Sequence, residues 1–387
     1  MKVGIVLSKT PTYSETFFLS KIRGLQKHGF VVSLYVQKED VSFKLCNVVQ
    51  APRFYRKNKF LQILAIFQVI FRLLPFLIRL QNFIKLERKV DRSWHQILKN
   101  IYNNAHILTA ELDWLHFGFA TMALQSEHVA QVIDAKMAVS LRGFDIDVYA
   151  LQHPNCYSLL WKQVDKVHSI SNYLLDKAKL LGLSNEISYS IIRPAVDLLK
   201  FNPVNRVLSE PINFLTVGRL HWIKGLIYTL EALAILKVKG VKFNYTIIGS
   251  GPDYEPIVFA ISQLGLTKEV RLLGKKTHKD TLGYFTISDI YIQYSISEGF
   301  CNAVLEAQGM GCLCVVSDGG ALPENVIHRQ TGWVVPKRNP KLLANALQEV
   351  ILLPEDVKGE YRKNATKRVI EAFSLDLQQK TFREFYN

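Results

Sequence analysis

One pattern occurs twice along this chain and constrains its fold: a short apolar strand, a turn, an amphipathic helix, a glycine and a second strand. The predicted strands lie at residues 2–7, 31–36, 212–217 and 243–248. Gly29 and Gly240 end the helices that precede the second strand of each pair. Strands that alternate with helices form parallel sheets with helices on both faces. The sequence therefore predicts an α/β protein with two similar halves.

The length of the chain agrees with two domains. Its 387 residues, 49% of them apolar, are enough for two cores of ordinary size. Residues 202–211 are polar and rich in turn formers, so the predicted boundary lies there, with domains at 1–204 and 205–371. A final helix is predicted within residues 372–387.

Two carboxylates in the second half stand on either side of a turn and a helix start. Glu298 precedes Gly299, and Glu306 lies one to two turns into the predicted helix. The first turn of a helix has unpaired amides that hold phosphate, and carboxylates accept hydrogen bonds from hydroxyls. This combination suits a nucleotide-sugar, with one acid for the ribose and the other for the sugar. An ordinary capped surface helix is the alternative.

Two cations follow the strand at residues 212–217. Arg219 offers a planar fork for phosphate oxygens, and Lys224 offers a mobile point charge. Open α/β sheets bind ligands at the carboxyl ends of their strands. The pair is therefore predicted to neutralise a diphosphate, although solvated loop cations are the alternative.

With these motifs in this order, the chain resembles the retaining glycosyltransferases of family 4 in the GT-B class. The matching motifs of the second half are Gly218-Arg219, Lys224-Gly225, Ile248-Gly249-Ser250-Gly251-Pro252, Leu273-Gly274, Ser297-Glu298-Gly299-Phe300, Asn302-Ala303-Val304-Leu305-Glu306-Ala307, Gly319-Gly320, Pro323-Glu324 and Thr331-Gly332-Trp333. The looser matches of the first half are Ser14-Glu15-Thr16-Phe17, Leu115-His116-Phe117-Gly118, Arg142-Gly143-Phe144-Asp145 and Arg193-Pro194-Ala195-Val196-Asp197. These pieces are similar to the branch that builds bacterial exopolysaccharides.

The resemblance implies a GT-B fold of two Rossmann-like domains that face each other across a cleft. The first domain would bind the acceptor, with residues 372–387 packing back on it, and the second would bind the donor. The implied reaction moves a sugar, with retention, from a nucleoside diphosphate sugar to a hydroxyl of a lipid-linked or polysaccharide acceptor. The implied enzyme is a hexosyltransferase, and no metal or other cofactor is expected because the two cations replace a metal.

The resemblance also implies roles for single residues. Arg219 and Lys224 would bind the diphosphate, Glu306 the ribose and Glu298 the donor sugar. The further donor-binding residues would be Gly218, Gly249, Gly299, Phe300, Cys301, Asn302 and Ala303. The acceptor-binding residues would be Ser14, Glu15, His116, Arg142 and Asp145, of which His116 and Arg142 are also catalytic candidates.

Arg142 is the clearest departure from the family, many members of which have His at this position. Arginine stays protonated and cannot act as a base. Arg142 is therefore predicted to be a fixed cation for a carboxylate or phosphate, with a salt bridge to Asp145 or Asp147 as the alternative. Asp145-Ile146-Asp147 resembles a metal-binding Asp-x-Asp, but capping is expected in this half.

Residues 53–92 combine cationic and apolar character. They contain ten Lys or Arg against Glu87 and Asp91, in a chain of net charge +15. Arg72 and Pro75 interrupt the apolar runs, so this stretch is expected to lie on an anionic membrane rather than to cross it. The alternative is that it packs into the core. Nucleic acid is not an expected partner because no nucleic-acid motif accompanies the charge.

Cysteine usage and the first strand predict a cytoplasmic protein. The five cysteines form no C-x-x-C pair and no zinc pattern, which is typical of a reduced chain. The apolar run at residues 3–7 is too short for a signal peptide. The expected location is the cytoplasm, peripheral on the inner face of the cell membrane. A non-catalytic subunit of a polysaccharide assembly complex and a sugar-nucleotide epimerase remain as alternative functions.

Overall fold

The computed structural model describes residues 1–11, 16–40, 42–55, 57–201 and 207–387. Internal contacts divide the chain into unit 1, Met1–Ile192 with Gln379–Asn387, and unit 2, Arg193–Gln378. The predicted boundary at 204/205 lies outside the described residues and stays a prediction. Each unit is built on one parallel sheet, so the predicted α/β fold class is confirmed.

Unit 1 contains a parallel sheet of seven strands in the order β3-β2-β1-β4-β5-β6-β7. The strands are β1 (Lys2–Lys9), β2 (Val31–Lys38), β3 (Asn47–Gln50), β4 (Trp114–Phe117), β5 (Lys136–Leu141), β6 (Lys166–Ser169) and β7 (Ser188–Ile191). After β3 the chain returns to the other side of β1. The direction of winding therefore changes between β1 and β4, which is where sheets of this kind bind ligands.

Helices cover both faces of this sheet. They are α1 (Thr16–Lys27), α2 (Lys59–Leu73), α3 (Leu77–Lys89), α4 (Trp94–Leu108), α5 (Ala120–Ala123), α6 (Val129–Val132), α7 (Ala150–Gln152), α8 (Leu160–Gln163) and α9 (Asn172–Leu180). Three of these helices begin at side chains that accept a hydrogen bond from the first turn: Asn58, Ser93 and Ser171. Pro75 lies in the 3-10 turn Leu74–Phe76 that separates α2 from α3.

Unit 2 contains a parallel sheet of six strands in the order β10-β9-β8-β11-β12-β13. The strands are β8 (Ile212–Val217), β9 (Phe243–Ile248), β10 (Val270–Leu272), β11 (Ile290–Gln293), β12 (Leu313–Ser317) and β13 (Trp333–Val335). The helices are α10 (Leu226–Val238), α11 (Tyr254–Gln263), α12 (His278–Ile287), α13 (Asn302–Gly309), α14 (Leu322–Asn325), α15 (Pro340–Leu352) and α16 (Glu355–Ala372), and α17 (Leu375–Tyr386) begins in unit 2 and ends in unit 1. Here the winding direction changes between β8 and β11.

The end of α17 contributes to the core of unit 1. Phe382, Phe385 and Tyr386 are buried there. The indole of Trp114 donates to the Tyr386 carbonyl at 3.0 Å, and Lys166 donates to the Phe385 carbonyl at 2.6 Å. Residues far apart in the sequence thus complete one hydrophobic core.

The helical stretch Lys59–Lys89 has an exposed apolar face. Ala65, Val69 and Leu73 are buried, but Phe67 and Phe71 are 64% and 78% exposed. Within the described part of the chain, this is the one helical stretch that is long and apolar enough to cross a membrane, by length and composition alone. Only one narrow face of α2 therefore packs into the core, and its other apolar side chains are exposed.

Candidate functional site

Glycines bring the loops after β8 and β9 into backbone contact. Gly249 has a φ of +151°, and a Cβ there would lie 1.7 Å from the Gly218 carbonyl oxygen. A Cβ on Gly251 would lie 2.1 Å from the Leu220 carbonyl oxygen, and the Leu220 amide donates to Ser250 at 3.1 Å. The backbone of the loop that contains Arg219 therefore lies too close for a side chain at Gly249 or Gly251, which explains these two glycines.

A left-handed glycine places Lys224 beside β11. The turn Trp222–Lys224 ends at Gly225, whose φ is +63° and where a Cβ would lie 2.1 Å from the Tyr294 carbonyl oxygen. The Ile296 amide donates to the Ile223 carbonyl at 2.7 Å. The loops after β8 and β11, which border the change in winding direction, are thus joined.

Lys224 and Glu298 form an ion pair at this junction. The ammonium lies 2.5 Å from Glu298 Oε1, and the two side chains are 16% and 11% exposed. The same oxygen accepts from the Ser295 hydroxyl at 2.7 Å and from the Gln293 amide at 3.2 Å. Oε1 is therefore fully engaged, and Oε2 is the atom of Glu298 that could accept from a sugar hydroxyl.

The electrostatics keep Lys224 charged. Burial acts to lower the pKa of Lys224, but the Glu298 charge and hydrogen bond outweigh it and raise this pKa. The Arg219 charge opposes the rise, so the two predicted cations act on one another. Arg219 itself is exposed, and its predicted contact with a diphosphate stays a prediction.

The loop after β12 supports the backbone of Glu298. The Ala321 amide donates to the Glu298 carbonyl at 2.8 Å. Gly320 has a φ of +66°, and a Cβ there would lie 2.4 Å from the same carbonyl oxygen. The loop that contains Gly319 and Gly320 therefore packs directly against the backbone of Glu298 and holds this residue in position.

The start of α13 is partly occupied by a protein side chain. The Cys301 amide donates to Asn325 Oδ1 at 3.1 Å, and the Cys301 carbonyl accepts from Asn325 Nδ2 at 3.0 Å. Burial raises the pKa of the Cys301 thiol to about 12. The Cys301 amide therefore already has a partner inside the protein, and the predicted donor contacts of Gly299, Phe300, Asn302 and Ala303 stay predictions.

Glu306 pairs with a histidine that the sequence did not single out. Its Oε1 lies 2.8 Å from His278 Nε2, and the side chains are 16% and 43% exposed. The hydrogen bond to Glu306 raises the pKa of His278. His278 lies at the start of α12, with no motif around it, so only the folded structure reveals this contact.

In unit 1, His116 lies on β4 and is completely buried. Its Nδ1 lies 2.6 Å from the Tyr386 hydroxyl and 3.1 Å from the Lys21 ammonium nitrogen, and Nε2 lies 2.8 Å from the Ser140 hydroxyl. The Ser140 hydroxyl also lies 2.8 Å from His168 Nδ1, within hydrogen-bond distance. Both ring nitrogens of His116 are thus engaged inside the protein, which does not fit the predicted contact with acceptor or proton transfer to it.

Burial sets the protonation of this chain of side chains. It lowers the pKa of Lys21, His116 and His168 well below their ordinary values, and nearby cationic side chains lower them further. Burial and the neighbouring cations therefore both favour the neutral forms of these three side chains. The group supports the core of unit 1.

Arg142 is held by aromatic rings. Its guanidinium carbon lies 4.1, 4.8 and 5.7 Å from the ring centres of Phe17, Phe18 and Phe119. Stacking of this kind holds a guanidinium in place while its charge is kept. The predicted role of a fixed cation is consistent with this position, and it stays a prediction.

The capping expected of Asp145 is not seen, because no side chain in the described part of the chain accepts a hydrogen bond at the start of the turn Asp145–Tyr149. The Asp145 carboxylate is completely buried and accepts from the Arg142 amide at 3.1 Å and the Ala120 amide at 3.1 Å. Burial raises the pKa of Asp145, and these amides oppose the shift. Asp147 accepts from Lys177 at 2.6 Å. The burial of Asp145 does not fit direct acceptor binding, and the predicted Ser14 and Glu15 lie outside the described residues.

Comparison with known proteins identifies the class of the chain. Residues 200–369 match the family model for glycosyl transferases group 1. The chain is 28% identical to the colanic acid biosynthesis glycosyltransferase WcaL of Escherichia coli, over 97% of this chain and 96% of that protein. It is 29% identical to the amylovoran biosynthesis glycosyltransferase AmsK of Erwinia amylovora, over 63% of this chain and 62% of that protein.

Solved structures agree on the fold. A glycosyltransferase from Rickettsia africae superposes with a TM-score of 0.70 at 19% identity, covering 100% of this chain and 97% of the other. Anabaena HepE in complex with UDP gives 0.70 at 16% identity, covering 99% and 98%. The comparisons favour a transferase over the non-catalytic alternative. The chain carries a group 1 glycosyltransferase domain within a GT-B fold, and it is a glycosyltransferase.

Proposed function

We propose that this protein is a retaining glycosyltransferase of family 4 that acts in exopolysaccharide synthesis. It would transfer a sugar from a nucleoside diphosphate sugar to a hydroxyl of a lipid-linked or growing polysaccharide acceptor. The observation that carries this proposal is the junction of Arg219, Lys224 and Glu298 at the carboxyl edge of the unit 2 sheet. It combines cations for a diphosphate with a carboxylate for hydroxyls.

The relatives support the class of substrate. WcaL and AmsK are named for the synthesis of colanic acid and amylovoran. HepE has been solved with UDP-glucose, at a TM-score of 0.70 and 15% identity. These names favour a sugar nucleotide as the donor and an exopolysaccharide intermediate as the acceptor.

The proposed mechanism assigns one task to each side chain. Arg219 and Lys224 bind the diphosphate and stabilise its charge as it leaves. Glu306 binds the ribose hydroxyls and Glu298 binds the donor sugar through Oε2, while Lys224 fixes the other oxygen. The leaving diphosphate deprotonates the acceptor hydroxyl on the same face of the sugar. No metal is needed in this scheme because the cations supply the charge.

Arg142 is proposed as a fixed cation at the carboxyl end of β5. Its guanidinium is stacked on Phe17 at 4.1 Å and keeps its charge, so it can hold a phosphate or carboxylate. It cannot take a proton from the acceptor. This proposal therefore places proton transfer with the leaving diphosphate alone.

We also propose that α2 and α3 hold the protein on the cytoplasmic face of an anionic membrane. Phe67, Phe71 and Ile78 are exposed apolar side chains, and Lys59, Arg72 and Arg88 are exposed cations on the same stretch. Apolar helices with cationic margins match the chemistry of an anionic leaflet, at about 1 kcal/mol for each cation near the surface.

The membrane proposal is tested with one variant and a matched control. Phe67→Glu should reduce co-sedimentation with anionic vesicles, and higher salt should weaken the binding of the wild-type protein. Phe259→Glu is the control, because Phe259 is 67% exposed on α11 of unit 2 against 64% for Phe67. Equal recovery of wild-type protein on neutral and anionic vesicles contradicts the proposal.

The function is tested by a donor screen followed by product stereochemistry. Calorimetry with UDP- and GDP-sugars should find a donor, and its hydrolysis or transfer should follow with membrane acceptors present. Proton NMR of the first product should show the anomeric configuration of the donor. An inverted product excludes the retaining mechanism, and the absence of any donor binding contradicts the proposed function.

A further inference from the structure

A continuous series of hydrogen bonds runs through the core of unit 1. The Tyr386 hydroxyl lies 2.6 Å from His116 Nδ1, and His116 Nε2 lies 2.8 Å from the Ser140 hydroxyl. The Ser140 hydroxyl lies 2.8 Å from His168 Nδ1, and His168 Nε2 lies 3.0 Å from the Ile192 carbonyl oxygen. These four side chains and this carbonyl form what we call the histidine chain. It joins the last residue of the first segment of unit 1 to the returning segment at residues 379–387.

The carbonyl end of the histidine chain determines the position of each hydrogen in it. A carbonyl oxygen only accepts, so His168 Nε2 must carry the hydrogen that it donates to Ile192. In a neutral imidazole the other nitrogen then accepts, and the Ser140 hydroxyl donates to it. Ser140 in turn accepts from His116 Nε2, which leaves His116 Nδ1 to accept from the Tyr386 hydroxyl. With both imidazoles neutral, each of the four hydrogen bonds therefore has one donor and one acceptor.

A proton added to either imidazole breaks this match of donors and acceptors. A charged imidazole donates from both nitrogens. On His116 the added hydrogen would face the Tyr386 hydroxyl, and on His168 it would face the Ser140 hydroxyl. Either hydroxyl would then lose the acceptor that its own hydrogen has in the neutral chain. A donor without an acceptor in the core costs free energy, so the closed arrangement favours neutral imidazoles.

Burial and neighbouring cations act in the same direction. His116 and His168 are completely buried. The Lys21 ammonium nitrogen lies 3.1 Å from His116 Nδ1, and the Arg142 charge acts on both imidazoles. Burial, with these cations, lowers the pKa of both histidines well below its ordinary value. The geometry of the hydrogen bonds and the electrostatics thus agree on the neutral form.

The end of α17 covers both imidazoles. The ring centres of Phe382 and Phe385 lie 5.1 and 6.3 Å from that of His168, and Phe385 also lies 5.5 Å from His116. The Lys21 ammonium nitrogen lies 4.7 Å from the Phe382 ring centre. Chain ends are the segments that open most readily. Displacement of this end would bring water to both imidazoles and to Lys21, and their ordinary affinity for protons would return.

We propose that the histidine chain is a proton-sensitive latch, which holds the end of α17 in unit 1 while both imidazoles are neutral and releases it when they bind protons. The open form binds more protons, so the latch is complete above the ordinary histidine pKa of about 6.5 and weakens as pH falls below it. Lys21 adds a pH dependence that extends above this window, because an ordinary lysine has a pKa of about 10.4. The latch lies within unit 1 and does not depend on the proposed function.

Hydrogen exchange of the full-length protein at pH 5, 6, 7 and 8, followed by mass spectrometry, tests the latch. Each rate is divided by the rate of an unstructured peptide at the same pH, so that the ratio reports the opening equilibrium. Peptides from residues 379–386 should lose protection on acidification by about tenfold per pH unit for each proton taken up. Peptides from β5 should stay better protected at every pH. Loss of protection in α17 only together with β5 shows global unfolding and overturns the proposal.

Two variants measure the share of the histidines. His116→Asn and His168→Asn each remove one titrating ring and keep a side-chain acceptor. Between pH 6 and pH 5, protection of α17 in the wild-type protein should fall about five- to tenfold further than in either variant. The contribution of Lys21 is common to all these proteins and cancels. His95→Asn, the same change at an exposed histidine of α4, should behave as the wild type does. Equal pH dependence in the wild type and both variants overturns the proposal.

A measurement on the wild-type protein is independent of how the variants fold. Long-range nitrogen-15 NMR of histidine-labelled protein at pH 6 should show His116 and His168 neutral, with the hydrogen on Nε2. Nuclear Overhauser effects from Phe385, whose ring lies against both imidazoles, identify their signals. A charged imidazole at either position, or a hydrogen on Nδ1, contradicts the order of donors in the histidine chain and overturns the latch.

Discussion

The two units have the same kind of sheet but place charge differently at it. In unit 2, Lys224 and Glu298 form a partly accessible ion pair at the change in winding direction, and Arg219 next to them is exposed. In unit 1, His116 and Lys21 lie in the core, in neutral forms favoured by burial. Similar topology therefore supports a charged ligand site in one unit and a buried polar chain in the other.

The largest expected effect tests the backbone contact that shapes the unit 2 site. Gly249→Ala should lower the free energy of unfolding by more than about 3 kcal/mol and abolish donor binding, because its Cβ would meet a backbone oxygen. Urea unfolding and calorimetry measure both effects. Gly359→Ala is the matched control, since nothing lies within 4 Å of its Cβ and alanine favours the helix by about 1 kcal/mol. Equal effects of the two changes would contradict the role of the backbone contact at Gly249.

The second prediction tests whether the ion pair of unit 2 serves the donor. Lys224→Met should reduce donor affinity or turnover roughly 10- to 100-fold, because a hydrogen bond to a charged group contributes about 1.5–3 kcal/mol. Lys237→Met is the control, because the Lys237–Glu269 pair in the same unit is 2.7 Å long but more exposed. Donor kinetics that are the same for both variants would remove Lys224 from the site.

The third prediction concerns acid stability, which should depend on unit 1. The pKa of His106 is about 4 when folded and about 6.5 when unfolded, so the unfolded chain binds more protons between these values. The free energy of unfolding then rises with pH in this window. At pH 5 this histidine lowers it by about 2 kcal/mol relative to its value above both pKa values. Urea unfolding at pH 5 and pH 7 should show a smaller pH dependence in His106→Leu. A dependence as steep as in the wild type would contradict the assigned pKa.

The smallest effect is expected from the histidine of unit 2, with the opposite sign. Glu306 raises the pKa of His278, so its stabilising effect is complete below the unfolded pKa and is lost as pH rises through the folded pKa. The side chain is 43% exposed, so solvent screening limits the effect to less than about 1 kcal/mol. NMR titration, with His278→Gln to assign the resonance, should show a raised pKa. An ordinary or lowered pKa of His278 would contradict the contrast between this histidine and His106 of unit 1.

Sequence reasoning was most successful where contacts follow from strand order. Lys224 and Glu298 are 74 residues apart, yet both follow strands of one parallel sheet, so their meeting could be expected. The predicted strands at 2–7, 31–36, 212–217 and 243–248 all form. Short apolar runs bounded by glycine determine these elements locally.

Contacts between distant side chains could not be predicted in this way. Tyr386 and His116 are 270 residues apart, and no local pattern indicates that the last helix reaches β4. The partners of Cys301 and Glu306, which are Asn325 and His278, likewise depend on how loops pack. These contacts depend on which side chains become buried together, and a sequence motif does not show whether its residues will be buried.

The position of α17 has a consequence for synthesis on the ribosome. Domains generally fold in order as the chain emerges, with the amino-terminal one first. Here Phe382 and Tyr386 belong to the core of unit 1, so that core cannot be completed before the whole of unit 2 has been translated. During that delay the pocket for these aromatic rings is open to water. Nascent unit 1 therefore keeps apolar surface exposed until α17 has left the ribosome, although its sheet is translated first.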